Sequence, residues 1–357
     1  MKRFCFLLLL VFTCNAWAHQ TSDSFLYLDT ANGTGRLDLA IADLHRIVTL
    51  DADNDGQIRW QEVQEQGSHM QSYVQQHLQV DAEAEPCSLE WQTPALTLHG
   101  ARHHLAFPFK TQCVSQSGWQ LRYDVLFDRD ALHRAFVRWQ NANDGGLAVL
   151  SKDSSTYTLP DTSNAWDLFQ DYFHQGVAHL LIGYDHILFL IALLLPVATR
   201  LVAPGATLRS ALIDTLGIVT LFTLAHSLTL ALSALAVVQL PATLIEVLIA
   251  LSVSGAGVVA LVPAWHSYRH LLAFGFGLVH GFGFANVLAE LAPSLTHQVI
   301  SLAAFNLGVE AGQALVVGMV LPLLYWGRHT LQRFSWSLPG GAWSIVACGL
   351  LWTWQRW

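Results

Sequence analysis

The feature that most constrains this chain is the series of long apolar runs that begins near residue 174. One of them, "HLLIGYDHILFLIALLL" from His179 to Leu195, is apolar enough for a bilayer yet holds two histidines and an aspartate. Six such segments can be marked, at roughly 174–197, 210–236, 241–263, 270–292, 298–326 and 341–356, most of them near the ~20 residues a spanning helix needs. The chain is 53% hydrophobic and only 12% charged, and its acidic groups lie mostly before residue 166. Sequence therefore predicts a two-part protein. An exported, mainly-β domain with an EF-hand-like calcium loop (19–165) precedes an α-helical membrane bundle of about six transmembrane helices (166–357). The net charge of −8 gives no sign of nucleic-acid binding.

Residues 1–18 read as a signal peptide. Lys2 and Arg3 precede a short apolar core, and Ala16 and Ala18 form an A-x-A cleavage pattern that would leave His19 first. Cys87 and Cys113 are the two cysteines of the exported part, and in an oxidising compartment they are expected to pair. "SFLYLDTANGTGRLDLAIA" alternates about Asn32-Gly33, a hairpin signal. "ALTLHGARHHLAFPF" and "GWQLRYDVLF" read as further strands, and "HMQSYVQQHLQV" as a helix. The loop Asp51–Glu62, "DADNDGQIRWQE", has Asp51, Asp53 and Asp55 at alternate positions, Gly56 at the sharp turn, Gln57 to lend a carbonyl, Ile58 to pack inward, and Glu62 to close a calcium site. His19, His103 and His104 are further metal candidates in the exported part.

Orientation follows from two independent arguments. An exported domain starts the first span outside, which places the loops near 198–209, 264–269 and 327–338 inside. Those loops carry Arg200, Arg209, Arg269, Arg328 and Arg333, whereas 237–240 and 293–297 carry no Lys or Arg. The predicted location is the cell membrane of a bacterium-like cell, multi-pass, with the N-terminal domain outside the cytoplasm.

Ionisable groups then fall at overlapping depth. His179, Asp185, His186, His226, His280 and Glu310 are the predicted ligands of one intramembrane transition metal (Ni, Co or Zn). Ser227, Glu246, Glu290, Asn306 and Gln313 stand beside it or at its mouth. Charged groups at the bilayer centre are costly, so several together must compensate one another. Imidazole and carboxylate suit such ions, and Asp185 could instead orient a neighbouring histidine. His179 and His186 are seven apart, which on a straight helix puts them on one face. Asn306, Glu310 and Gln313 form one stripe. Gly277 and Gly281 let neighbouring helices approach His280. Helix-bridging hydrogen bonds and a proton relay are the competing accounts of these residues.

"HLLIGYDHILFL" resembles the H-x3-G-x-D-H signature of the HupE/UreJ family, with His179, Gly183, Asp185 and His186 in matching places. "EVLIALSV" from Glu246 and "HGFGFA" from His280 resemble later motifs, and the exported domain resembles the longer branch of that family. The H-x4-D-H motif of nickel/cobalt permeases offers an analogy at a spacing one shorter. Phe282 and Phe284 depart from shorter members, which carry extra histidine in this segment. The resemblance implies nickel or cobalt uptake serving metalloenzyme maturation, with an envelope or maturation protein as partner besides membrane lipid and the metal ion. Two other functions fit the residues. One is an intramembrane metal-dependent hydrolase, with three histidines on zinc and Asp185 or Glu310 as general base, assisted by Ser227. The other is a non-catalytic sensor or assembly factor. No GxxxxGK[ST] motif is present, so the chain itself would not power transport with ATP.

Overall fold

The structure is a computed structural model and describes residues 22–99, 102–113, 118–141, 145–160, 164–201, 205–235, 237–238, 240–283, 295–333 and 337–357. The signal-peptide reading (1–18), His19, Phe284 and Glu290 lie outside the described residues. Two compact units emerge, 19–171 with 290–300, and 172–289 with 301–357.

The first unit is mainly β. Strands β1 (Asp23–Asp29) and β2 (Thr34–Ala40) form the expected hairpin, Ser24 facing Leu39 through Asp29 facing Thr34. Its turn holds Gly33 at φ 60°, a left-handed conformation that glycine adopts without strain. Short α1 (Ile41–Leu44), then α2 (Trp60–Glu65) and α3 (Gly67–His77), lead into β3 (Leu78–Ala82) and β4 (Glu85–Pro86). Next come β5 (Leu89–Trp91), β6 (Ala95–His99), β7 (Arg102–Thr111), β8 (Trp119–Tyr123), β9 (Arg134–Gln140), β10 (Gly145–Ser151) and β11 (Thr156–Thr158). One sheet runs β10-β9-β1-β2-β7-β5 with β6 also on β7, and the other runs β11-β8-β3-β4. All described pairings are antiparallel except β1 with β9.

Period-two alternation explains the packing. Leu26, Leu28, Leu37, Leu39, Phe107, Phe109, Val137 and Trp139 of the first sheet share one buried core with Val80, Trp119, Leu121 and Tyr123 of the second, and Met70 and Val74 of α3 join it. Each such side chain contributes about 1.5–3 kcal/mol when fully buried. His133 is buried among hydroxyls, with Ser22 Oγ 2.6 Å from Nδ1 and Tyr123 OH 2.8 Å from Nε2. A disulfide joins Cys87 to Cys113 across 26 residues; closing a loop of that length is worth about 3.5 kcal/mol on chain-entropy grounds.

The second unit is helical. It comprises most of α4 (Ala165–Ile182), then α5 (Tyr184–Arg200), α6 (Leu208–Ala234), α7 (Ala242–Leu261), α8 (Arg269–Gly281), most of α9 (Leu295–Arg333), and α10 (Ser337–Arg356). Three helices, Leu208–Ala234, Thr243–Leu261 and His297–Arg328, are long and apolar enough to cross a membrane, and α4 with α5 makes a fourth if counted as one broken span. The fourth predicted segment is represented by α8, whose 13 residues rise only about 20 Å, short of a hydrocarbon core.

Helix contacts are set by small residues. A Cβ on Gly281 would lie 2.2 Å from the His226 carbonyl oxygen, and one on Gly277 2.4 Å from that of Phe222. Glycine at both positions therefore seats α8 directly against the backbone of α6. Asp214 on α6 holds Arg269 at 2.5 Å and Arg200 at 3.8 Å, so this acidic group answers the basic residues of α8 and α5.

Candidate metal centre

Four helices of the second unit bring histidine together. His179 ends α4, His186 opens α5, and His226 and His280 come from α6 and α8. Ligand nitrogens of His179, His186 and His226 lie within 4.8 Å of one another. The His280 ring stands 5.1 Å from that of His186. Phe189, Phe222 and Phe305 wall the group, with Phe189 and Phe222 ring centroids 5.6 and 5.4 Å from His280 and Phe305 5.2 Å from His179.

The pairing of His179 with His186 arises differently from the sequence expectation. Seven residues of straight helix would rise about 10.5 Å. The chain instead bends by 68° between α4 and α5, and the two rings meet at 4.8 Å. The pivot is Gly183, with φ −69° and ψ 98°. Its N–H donates to the His179 carbonyl and its own carbonyl accepts from Ile187. A Cβ there would fall 2.6 Å from His186 Nδ1 and 2.8 Å from the His179 oxygen. The missing side chain is thus the space in which the His186 ring sits.

Hydrogen-bond satisfaction decides what the cluster can do. His186 Nδ1 and Nε2, His226 Nε2 and His280 Nδ1 are all buried without a hydrogen-bond partner. Each such atom costs about 1–3 kcal/mol if left unmade. The state of His226 follows from its neighbour. Asn306 Nδ2 donates to the Leu302 carbonyl at 2.7 Å, which turns its Oδ1 toward His226 Nδ1 at 3.2 Å. Nδ1 therefore carries the proton and Nε2 offers a bare lone pair, as a metal requires. Converging bare imidazole nitrogens in a phenylalanine-walled site suit a divalent ion of the nickel, cobalt or zinc kind.

The other predicted residues are distributed around this centre. Asp185 pairs with Arg356 of α10, Nη2 lying 3.0 Å from Oδ2, and the Glu246 carbonyl accepts from the same guanidinium at 3.3 Å. Glu310 accepts a short hydrogen bond from Thr220 Oγ1. Gln313, 3% exposed, accepts from Thr223 Oγ1 at 2.8 Å. Ser227 donates to the Thr223 carbonyl at 2.7 Å. The stripe Asn306–Glu310–Gln313 therefore seams α9 to α6. Arg356, Thr220, Thr223 and Ser252 were missed by the sequence reading. For Arg356 the available signal was an arginine closing an otherwise uncharged apolar segment.

In the β-rich unit, ligand oxygens of Asp51, Asp53 and Asp55 lie within 4.8 Å of one another. Asp51 accepts from Asp55 N at 3.1 Å and Gly56 N at 2.9 Å, and Glu62 folds back onto Ala52 N and Arg59 N. The Gln57 N–H, and then the Arg59 guanidinium, hold Asp55 below the usual carboxylate range. Arg59 also reaches Asp53 at 3.1 Å. Ile58, expected to pack inward, is 38% exposed. His104 Nδ1 donates to the Arg102 carbonyl, 3.1 Å away, and its ring lies against His99, which bonds Asp38 at 2.8 Å.

Fold and site together define a membrane protein whose helical half encloses a histidine centre fit for a divalent metal. The HupE / UreJ protein family model matches residues 154–356, more than half of the chain, and the protein belongs to that family. The β-rich unit before the matched region is consistent with its longer branch. No curated protein matches the chain.

Proposed function

We propose that the protein is a permease, or permease accessory, for a divalent transition metal of the nickel/cobalt type. The observation that carries this reading is the set of four buried, unpartnered imidazole nitrogens on three histidines, with His179 beside them. His179, His186, His226 and His280 would hold the cargo ion, whose charge the neutral rings accept without bringing a second buried charge. Sites formed where a helix is broken near mid-membrane are characteristic of transporters, and the α4–α5 bend supplies such a break. In this reading all six apolar segments span. The signal peptide exports the β unit, and the site opens to the outside. The Cys87–Cys113 disulfide agrees with an oxidising compartment.

A hydrolase needs a carboxylate free to activate water. The two candidates are engaged elsewhere, Asp185 by Arg356 and Glu310 by Thr220, which favours the permease. The test is calorimetric titration of purified protein with Ni²⁺, Co²⁺ and Zn²⁺, followed by uptake into proteoliposomes. The reading expects binding that His226→Ala weakens at least tenfold, and passage of the bound metal. Metal that binds but never crosses, together with hydrolysis of a lipid or peptide substrate, would instead establish the hydrolase.

The exported loop is proposed to bind Ca²⁺ through Asp51, Asp53, Asp55, the Gln57 carbonyl and Glu62. The support is the convergence of three carboxylates on a loop already closed by Glu62. Affinity in the range of about 10⁻⁴–10⁻³ M is expected of an extracellular module.

A further inference from the structure

We propose that Ser252 is a positioning residue for the metal centre: it holds His280 as the Nε2–H tautomer and so makes His280 Nδ1 a ligand of the cargo ion. The inference rests on the metal reading above and goes beyond it by naming the residue and the atom.

Ser252 lies on α7 and is 5% exposed, and His280 lies on α8 and is 3% exposed. Ser252 Oγ stands 2.8 Å from His280 Nε2 and 2.6 Å from the Ile249 carbonyl oxygen. A carbonyl oxygen can only accept, and a serine has one hydroxyl proton. That proton is committed to Ile249, so the oxygen turns a lone pair to His280. Nε2 must therefore carry the hydrogen. A neutral imidazole has a single N–H, which leaves Nδ1 bare. That Nδ1 is buried without a partner, beside a His186 ring whose two nitrogens are likewise unpartnered.

The same construction recurs at His226, where Asn306 replaces serine and the Leu302 carbonyl replaces that of Ile249. In both, a small polar side chain is anchored to a carbonyl on its own helix and accepts from one imidazole nitrogen. The tautomers come out opposite. His226 presents Nε2 and His280 presents Nδ1, so the two rings would offer an ion different nitrogens. Groups that orient ligating histidines in this way typically carry 10–100-fold of metal affinity.

The test uses the full chain in nanodiscs with ¹⁵N-labelled histidine, and His280→Gln to assign the signal. In metal-free wild type, long-range ¹H–¹⁵N correlation should show His280 as a single Nε2–H tautomer. Ser252→Ala should give a mixture, and Ser252→Thr, which keeps the hydroxyl, should restore the single form. With Co²⁺ as probe, Ser252→Ala should shift the visible absorption band and weaken binding about 10–100-fold, again with recovery in Ser252→Thr. An Nδ1–H tautomer in wild type, or an unchanged band and affinity in Ser252→Ala, overturns the role of Ser252 while leaving the metal centre standing. Wild type that binds no Co²⁺ overturns the metal reading, and with it the ligand role of Nδ1.

Discussion

Replacing Gly183 by alanine should cripple the histidine centre although glycine contributes no ligand. The backbone at Gly183, φ −69° and ψ 98°, is one that alanine adopts readily, so no conformational strain enters. The whole effect is the new methyl group, which would lie 2.6 Å from His186 Nδ1. An ordinary contact needs about 3.5 Å, so the ring or the bend must give by about 0.9 Å. Binding constellations tolerate about 0.5 Å. The methyl would also meet the His179 carbonyl at 2.8 Å, so opening the bend is the easiest relief, and that separates His179 from His186. We expect Ni²⁺ or Co²⁺ affinity to fall about 10–100-fold, or about 1.4–2.7 kcal/mol. Calorimetry on the solubilised protein measures it. Gly275→Ala is the control, since nothing lies within 4 Å of its added Cβ. Equal affinity in Gly183→Ala and wild type would refute the claim that this bend builds the site.

Three other outcomes follow from particular contacts. Arg356→Gln strands the Asp185 carboxylate and should cost about 3–5 kcal/mol; Asp185→Asn in the same chain should recover most of it in a double-mutant cycle of reversible unfolding in mixed micelles, and additive losses would deny the pairing. In the β-rich unit, burial holds His104 and His133 down to about 4, against 6.5 for the free side chain. The unfolded chain then protonates first, so their contribution is whole above about pH 6.5 and is lost as pH falls toward about 4. Burial raises Asp43 to about 6, which acts in the opposite direction over the acid side of that window. The net loss, on the order of 3 kcal/mol, should appear as weakened hydrogen-exchange protection of β1 and β9 in the intact protein, and undiminished protection at pH 4.5 would contradict it. Finally, Arg59→Gln removes a cation competing for Asp53 and Asp55 and should raise Ca²⁺ affinity about 2–5-fold by calorimetry; weaker binding would show that Arg59 supports the loop instead.

The β unit was legible because strands announce themselves by alternation and turn chemistry. Asn32-Gly33 marks the hairpin, and the inward residues Leu26, Leu28, Leu37 and Leu39 keep strict period two. The parallel pairing of β1 with β9 was not legible, because register between strands more than a hundred residues apart leaves no local trace. In the membrane half, depth arguments gathered the histidines, but they assumed a straight first helix. Gly183 hides its effect, since an isolated glycine is tolerated within spans and only tertiary packing reveals a 68° bend. The pairing of Asp185 with Arg356, 171 residues away, left no local trace either. Ser252 lies within the motif "EVLIALSV", but the motif names no partner for it, and a serine in an apolar helix ordinarily bonds its own backbone. Its second contact exists only because α8 packs where it does.

The most direct test of the central claim is movement of metal through the site. Proteoliposomes holding wild type should accumulate Ni²⁺ or Co²⁺ in their lumen down a concentration gradient, while His186→Ala, matched for folding and amount, should accumulate no more than protein-free vesicles. Equal accumulation by wild type and His186→Ala would contradict the account.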